Sequence, residues 1–127
     1  MNRAPLFLLD SVGYITPQMT GAVIVTGSHG GDSAARYALT APALLVVFND
    51  AGGGLDDAGT SGLDLLQSHG IAAATVAHTS ARIGHSRSTL NDGVFSRVNG
   101  LAVALGLAPG QRCRTALQAL CEVPPSL

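Results

Sequence analysis

Three segments of the chain combine glycines with side chains that transfer protons or hold anions. Residues 27–31 read Gly-Ser-His-Gly-Gly, residues 49–54 read Asn-Asp-Ala-Gly-Gly-Gly, and residues 78–84 read His-Thr-Ser-Ala-Arg-Ile-Gly. Each segment follows a short apolar run that is typical of a buried β-strand. Ligands bind beyond the carboxyl ends of the strands in parallel α/β sheets, so the three segments predict one shared pocket at that edge.

The first segment places Ser28 and His29 directly before a helix that is predicted over residues 32–39. Glycine lets a backbone approach a ligand closely, and the first turn of a helix presents unpaired N–H groups. We therefore expect His29 to be a catalytic acid–base group, and Ser28, Gly30 and Gly31 to contact the substrate. The alternative is a tight turn from strand to helix in which His29 has no chemical role.

The second segment offers a carboxylate, Asp50, at the end of the clearest strand of the chain, residues 43–48. Partial desolvation at that place is expected to raise the pKa of Asp50, which would suit a catalytic general base. Gly53 is expected to contact the substrate, and the glycines of residues 51–62 predict a mobile lid. The alternative is that Asn49 and Asp50 only form turns through their own side chains.

The third segment and the residues after it are rich in side chains that bind anions. Guanidinium groups hold carboxylates and phosphates through two parallel hydrogen bonds, and hydroxyl groups add further donors. We expect Ser80, Arg82, His85 and Arg87 to bind the substrate. A solvated turn with scattered charges is the alternative.

Together these residues predict a small-molecule enzyme that uses metal-independent acid–base chemistry and no cofactor. His29 and Asp50 would move protons, while Arg82 and the amides of the first segment would hold a carboxylate- or amide-bearing anionic substrate. Hydrolase, isomerase and lyase reactions all fit these parts, with hydrolysis slightly favoured. The main alternative is a non-catalytic module that binds or senses a small anion in the same pocket.

Two other chemistries would use the same edge of the sheet. Ser28, Asp50 and His78 occur in the chain order of α/β-hydrolases, which would make a compact serine hydrolase. The nucleophile motif is half present, because Gly30 follows the serine but Thr26 takes the place of the earlier glycine. A zinc-dependent hydrolase would need three imidazoles and a carboxylate, although no pair of them has the i, i+4 spacing of specific zinc motifs. The zinc candidates are His29, His78, His85 and Asp50.

The composition excludes several function classes. The formal net charge is -1 and aromatic residues make up 4% of the chain, so neither a basic surface nor a stacking platform for nucleic acid is expected. All 7 cationic residues are arginines, and a chain without lysine has no Schiff-base chemistry and no P-loop. No run approaches the ~20 apolar residues of a membrane span, and no signal peptide is predicted, so we expect a cytoplasmic protein that does not bind membranes. An apolar fraction of 46% with 12% charged residues favours a homo-oligomer.

Alternating strand-like and helix-like runs predict a single α/β domain over residues 1–127, with a mostly parallel sheet and helices packed on it. Residues 5–9 and 12–15 predict a β-hairpin at the edge of this sheet. The remaining strands are predicted at residues 22–26, 43–48 and 71–76.

The later helices are predicted from the spacing of apolar residues. One helix begins near residue 56 and ends at residue 68. Another follows from apolar residues that recur at helical spacing, namely Val94, Val98, Leu101, Ala102 and Leu105. A last helix after Pro109 would carry both Cys113 and Cys121, roughly 12 Å apart. That distance is too long for a disulfide and indicates two small buried side chains in a reducing compartment.

Overall fold

Short apolar runs pair side by side in the order in which they occur along the chain. The computed structural model describes residues 3–52, 60–125 and 127. Its strands are β1 (Leu6–Leu9), β2 (Val23–His29), β3 (Leu45–Asn49), β4 (Ala72–Val76) and β5 (Phe95–Val98). They form one sheet in the order β1-β2-β3-β4-β5, in which β1 to β4 are parallel and β5 is antiparallel to β4. The predicted α/β class and the mostly parallel sheet are confirmed.

Short helices cover the sheet. They are α1 (Asp32–Ala38), α2 (Gly62–Ser68), α3 (Ser86–Asp92), α4 (Gly100–Ala104) and α5 (Cys113–Leu117). Val12–Tyr14 and Pro17–Met19 are 3-10 turns. Within the described ranges, each helix is too short or too polar to cross a bilayer.

Both faces of the sheet are covered. The 3-10 turns, α1 and α2 pack on one face, and α3, α4 and α5 pack on the other. Strand β3 shows the alternation, because Val46 and Phe48 belong to the first core whereas Leu45 and Val47 belong to the second, and all are buried. A strand that is covered on both faces needs apolar residues at consecutive positions, which explains the unbroken apolar run of this segment.

The strand order also determines where a site can form. The connections between β1, β2, β3 and β4 run through the 3-10 turns, α1 and α2, and they all lie on one face. Right-handed crossovers have this result when each new strand is added on the same side. Such a sheet has no point at which the strand order reverses, so it lacks the crevice of a doubly wound fold. A site at the carboxyl edge is therefore built from the loops themselves.

The N-terminal edge strand is present, but its pairing differs from the predicted hairpin. Leu6–Leu9 lies at the edge of the sheet and pairs with β2 in parallel. The segment expected to return as the second hairpin strand is the 3-10 turn Val12–Tyr14. Ser11 caps this turn by accepting a hydrogen bond from the Gly13 N–H, and such a local bond competes with strand pairing.

The helix predicted between Val94 and Leu105 is wrong in its first half, because β5 occupies that part and α4 begins only at Gly100. Asn99 separates the two elements. Its side chain accepts a hydrogen bond from the Ala102 N–H at 3.0 Å and so caps α4. Its amide group also donates to backbone carbonyls of α2 and of the residue before β4. The apolar residues of a strand and of the short helix that directly follows it happened to have the spacing expected of one longer helix.

The two cysteines are buried free thiols, but they do not share a helix as predicted. Helix α5 contains Cys113 and ends at Leu117. Cys121 follows the helix, and its backbone pairs with that of Ala4 in an isolated parallel β-bridge. Burial, with a smaller contribution from Cys121, raises the pKa of the Cys113 thiol to about 12. Desolvation also raises the pKa of Cys121.

We expect neither cysteine to react with iodoacetamide in the folded protein at neutral pH. Alkylation requires an accessible thiolate, and burial with a raised pKa removes both accessibility and charge. Mass spectrometry should find no adduct on the native chain and two adducts after unfolding in denaturant. Rapid alkylation of Cys113 in the native protein would contradict its placement in the core.

Candidate functional site at the carboxyl edge of the sheet

The carboxyl ends of β1, β2, β3 and β4 lie at one edge of the sheet because the strands are parallel. The first residues of β5 lie at the same edge because β5 is antiparallel. The glycine-rich segments that follow β2, β3 and β4 therefore come together there. The sequence predicts this arrangement from strand direction alone.

The segment that follows β4, residues 77–85, runs across this edge towards β1, and we call it the crossing segment. The Asn49 side-chain amide donates to the Ala81 carbonyl at 3.1 Å, which ties the crossing segment to the end of β3. The Gly84 N–H donates to the Gly27 carbonyl at 2.7 Å, which ties it to β2. The crossing segment then continues into α3, which packs against β2.

Gly27 is required by this crossing. A Cβ atom at Gly27 would lie 2.4 Å from the carbonyl carbon of Gly84 and 2.4 Å from the nitrogen of His85. Both are backbone atoms in a segment that is tied at several points, so neither can move aside cheaply. The close neighbour of this glycine is the protein's own backbone rather than a ligand.

Gly30 and Gly31 of the first segment contact the start of α2, whereas Ser28 and His29 form hydrogen bonds elsewhere. The Gly62 N–H donates to the Gly30 carbonyl at 2.8 Å, and a Cβ atom on Gly62 would lie 2.5 Å from the Gly31 oxygen. Gly30 and Gly31 are buried. His29 is exposed, and its Nδ1 accepts a hydrogen bond from the Gly31 N–H at 3.3 Å. Ser28 points to the β1 side, where its Oγ accepts a hydrogen bond from the first 3-10 turn at 2.9 Å.

The side chains of Asp50 and His78 are in contact across the ends of β3 and β4. The Oδ1 atom of Asp50 lies 3.4 Å from Nδ1 of His78 and accepts a hydrogen bond from the His78 backbone N–H at 3.0 Å. The same oxygen accepts a hydrogen bond from the Gly52 N–H at 2.8 Å. The Asp50 side chain is 13% exposed and the His78 side chain is 55% exposed. The carboxylate is therefore the buried partner, and the imidazole reaches solvent.

The pKa of Asp50 moves in the direction opposite to the predicted one. Burial raises the pKa of this carboxyl group, but hydrogen bonds from the Ser96 hydroxyl and from the N–H groups of Gly52 and His78 lower it more. The pKa consequently lies below its ordinary value. The expected rise is wrong because desolvation was weighed without these donors. A carboxylate that stays ionised at neutral pH is suited to orient an imidazole.

Ser96 connects this pair to a cavity of about 550 Å³ between α2 and β5. The Ser96 Oγ atom lies 2.9 Å from the Oγ1 atom of Thr75 on the neighbouring strand, and Ser96 is the side-chain hydrogen-bonding group that lowers the pKa of Asp50. Ser96 was not selected as a site residue from the sequence, because this part of the chain was predicted to be a helix. Residues 94–98, Val-Phe-Ser-Arg-Val, do not alternate between apolar and polar, but their valines and phenylalanine are residues that strands favour, and that is the signal that could have placed Ser96 on a strand. The polar lining residues are Thr60, Ser61, Asp64, Ser96, Arg97 and Asn99.

Two predicted substrate ligands on the crossing segment have different surroundings. The Ser80 hydroxyl donates to the Ala77 carbonyl at 2.6 Å and accepts a hydrogen bond from the Val94 N–H at 3.0 Å, so it stabilises the turn after β4. Arg82 is exposed, and its backbone N–H donates to the Ser88 hydroxyl at 2.9 Å. The Ser80 hydroxyl is thus already hydrogen-bonded to the backbone, whereas the Arg82 side chain extends into solvent.

The far end of the crossing segment meets β1. The Oδ1 atom of Asp10 accepts hydrogen bonds from the N–H of Ser86 at 2.9 Å and from its hydroxyl at 2.8 Å, and these bonds lower the pKa of Asp10. Asp10, His85 and Arg87 line a second cavity that shares no lining residue with the first. Asp10 was not selected from the sequence, although it follows a predicted strand just as Asp50 does. Of the described side chains that were predicted for one pocket, His85 and Arg87 line this second cavity and none lines the first.

Neither alternative catalytic site is assembled by the described residues. Within residues 3–52 and 60–125, no group of three or more histidine, cysteine, aspartate or glutamate side chains is placed to hold a metal, so the zinc candidates do not converge. Ser28 makes no hydrogen bond to His78, so the predicted serine-hydrolase triad lacks its nucleophile. Gly53 lies outside the described residues, as do residues 53–59 of the predicted lid.

Comparison with known proteins does not identify a function for this chain. No protein-family model, curated protein or solved structure matches the chain. Since an α/β fold hosts many unrelated functions, the fold class does not imply an activity either. The functional conclusion therefore depends on the side chains at the carboxyl edge.

Proposed function

We propose that this protein is a metal-independent acid–base enzyme of small molecules in which His78 transfers the proton and Asp50 orients its ring. The observation that carries the proposal is the double contact of one Asp50 oxygen with His78, at the backbone N–H (3.0 Å) and at Nδ1 (3.4 Å). An imidazole whose Nδ1 faces a carboxylate presents Nε2 as its proton acceptor. The same carboxylate stabilises the imidazolium that forms when Nε2 takes a proton.

This proposal moves the acid–base role from His29 to His78. The Nδ1 atom of His29 accepts a hydrogen bond from the Gly31 N–H, so the neutral ring carries its proton on Nε2. No carboxylate of the described residues pairs with this ring. His29 is therefore suited to donate a hydrogen bond to a substrate, and His78 is the better proton acceptor.

The cavity beside Ser96 supports a small polar substrate. Its volume of about 550 Å³ lies within the usual range for small-molecule sites. Its polar lining comprises Thr60, Ser61, Asp64, Ser96, Arg97 and Asn99, and the hydroxyl and guanidinium groups of this set are of the kind that bind carboxylates and amides. A carboxylate- or amide-bearing anionic substrate remains the class that we propose.

The surroundings of His78 favour proton transfer over a covalent intermediate. Ser28 is hydrogen-bonded to the 3-10 turn, and both cysteines are buried in the core. In hydrolysis, His78 would remove a proton from a water molecule as the water oxygen attacks the substrate carbonyl carbon. We favour hydrolysis because the ring, which is 55% exposed, has direct access to water. Isomerase or lyase chemistry would use the same ring to remove a proton from carbon.

We expect His78 and His29 to be opposite tautomers when both rings are neutral. His78 should carry its proton on Nδ1, facing Asp50, whereas His29 should carry it on Nε2 because its Nδ1 accepts the Gly31 N–H. Long-range ¹H–¹⁵N correlation spectra distinguish the two tautomers directly. Asp50→Asn should remove the preference at His78 and leave His29 unchanged. A neutral His78 that is protonated at Nε2 in the wild-type protein would contradict the proposal.

The cytoplasmic location and the homo-oligomeric state remain proposals as well. Support for self-association comes from the large apolar side chains that the described surface exposes, namely Tyr14, Tyr37, Ile83 and Val103. The small net charge of -1 does not oppose association of identical chains.

A further inference from the structure

The second cavity lies beside β1 at the far end of the crossing segment, and its volume is about 650 Å³. Leu6 and Leu8 of β1 and Leu127 supply apolar walls. Two exposed side chains of opposite charge, Asp10 and Arg87, belong to the same lining. A cavity that combines apolar walls with a few convergent polar groups is a common form of small-molecule site.

The two charges are only partly satisfied by the protein. Both hydrogen bonds from Ser86 go to Oδ1 of Asp10, and Oδ2 accepts none from a described residue. The Arg87 guanidinium has no hydrogen bond or ion pair to any described residue, including Asp10. Asp10, His85 and Arg87 line the same cavity. The pKa of Asp10 is lowered mainly by the hydrogen bonds from Ser86, with smaller contributions from the charges of His85 and Arg87.

We propose that this cavity binds an apolar α-amino acid as its zwitterion. The ligand carboxylate would pair with the Arg87 guanidinium through two parallel hydrogen bonds, and its ammonium group would donate to Oδ2 of Asp10. The ligand side chain would lie against Leu6 and Leu8. A simple anion would be repelled by Asp10 and a simple cation by Arg87, whereas a zwitterion matches both charges.

This site does not depend on the proposed chemistry at His78. The two cavities have no lining residue in common. Asp10 follows β1 and Asp50 follows β3, and strands that are two positions apart in a sheet are separated by roughly 10 Å. An amino acid can therefore bind beside β1 whether or not His78 is catalytic.

The test compares L-leucine with two analogues that each lack one charge. When the full chain is titrated and followed by ¹H–¹⁵N correlation spectra, L-leucine should produce saturable chemical-shift changes in β1 and in the first residues of α3. The analogue 4-methylpentanoate lacks the ammonium group and 3-methylbutylamine lacks the carboxylate, and each should bind about tenfold or more weakly because a charge-assisted hydrogen bond is lost. Glycine should also bind more weakly, because it has no side chain to contact the leucines.

Arg87→Gln is the diagnostic variant, and Arg82→Gln is its matched control because Arg82 is exposed but does not line this cavity. Arg87→Gln should weaken L-leucine and 4-methylpentanoate by about tenfold or more and should strengthen binding of the amine, which Arg87 repels. Arg82→Gln should leave all of them unchanged. Both positions are exposed, so neither variant should disturb folding, whereas Asp10→Asn would also alter the bonds to Ser86.

Several results would overturn the assignment. Absence of saturable shifts with millimolar L-leucine would show that the cavity does not bind this class. Equal affinity for 4-methylpentanoate and L-leucine would show a site for simple apolar anions instead. Equal effects of Arg82→Gln and Arg87→Gln would place the binding elsewhere. None of these results bears on His78, whose tautomer and turnover test the proposed function separately.

Discussion

Changing His78 to glutamine is expected to lower turnover by about 10²–10⁴-fold while leaving the affinity for substrate nearly unchanged. Glutamine keeps an amide that can donate to Asp50, but it cannot take up and release a proton at neutral pH. The rate should be measured on a small carboxylate-bearing ester or amide that the wild-type protein hydrolyses, in the presence of excess chelator. We expect chelation to leave the wild-type rate unchanged, because the proposed reaction needs no metal ion.

His69→Gln provides a matched control for this change. His69 is exposed at the carboxyl end of α2, near the opposite edge of the sheet, and its Nδ1 atom lies 3.0 Å from the Leu65 carbonyl oxygen. The same chemical change at that position should leave turnover intact. His29→Asn should also retain most of the activity if His78 transfers the proton. Full activity of His78→Gln, or equal losses at His69 and His78, would refute the assignment.

Asp50→Asn should cause a smaller loss of turnover than His78→Gln. Asparagine can retain a hydrogen bond to the backbone, but it cannot stabilise the positive charge that develops on the His78 imidazole. The lowered pKa of Asp50 means that the wild-type carboxylate is ionised at neutral pH. A rate for Asp50→Asn equal to that of the wild type would show that the carboxylate has no part in the reaction.

Changing Gly27 to alanine is expected to lower the free energy of unfolding by about 3 kcal/mol or more. The new Cβ atom would lie 2.4 Å from backbone atoms of Gly84 and His85, and these neighbours are held in place by the hydrogen bond between Gly84 and Gly27. Relief of this overlap requires the crossing segment to move away from the sheet. Urea denaturation followed by circular dichroism measures the loss. The His78→Gln variant should keep the wild-type free energy of unfolding, because His78 is exposed.

Gly13→Ala is the corresponding control for a glycine with free space around it. A Cβ atom at Gly13 would have Ser11 Oγ as its nearest neighbour, at an ordinary contact distance of 3.5 Å. The same added methyl group should therefore change the free energy of unfolding by less than about 1 kcal/mol. If Gly27→Ala were as stable as Gly13→Ala, the crossing segment would not lie against β2 as described.

The general position of the site could be predicted because the order of strands and helices along the chain indicates the direction of the strands. Apolar runs separated by helices predict parallel strands, and parallel strands have their carboxyl ends at one edge. Asp50 and His78 follow two such runs, and those runs are the neighbouring strands β3 and β4. From the sequence this pair was predicted only as part of a serine triad or of a zinc site, because nothing in the spacing reveals which side chains of adjacent loops face one another.

The balance between burial and hydrogen bonding was beyond sequence reasoning. Burial of Asp50 was anticipated, but the Ser96 donor comes from β5, a strand that the sequence analysis assigned to a helix. The direction of a pKa shift depends on the difference between these opposing effects. The Ser96 donor on this strand and the N–H donors of Gly52 and His78 together reverse the predicted sign.

The sequence by itself determined the α/β class, the coverage of both faces of the sheet and the edge at which polar side chains collect. These properties follow from local apolar patterns and from the uniform direction of parallel strands. Only the tertiary structure decided which polar groups are partners. The crossing segment brings residues from β4 to β1, so that His78 meets Asp50 while Arg87 shares a cavity with Asp10. Contacts between residues that are distant in the chain depend on the path of the loops, and that path is set by long-range packing and hydrogen bonds such as those of Gly27 and Asn49.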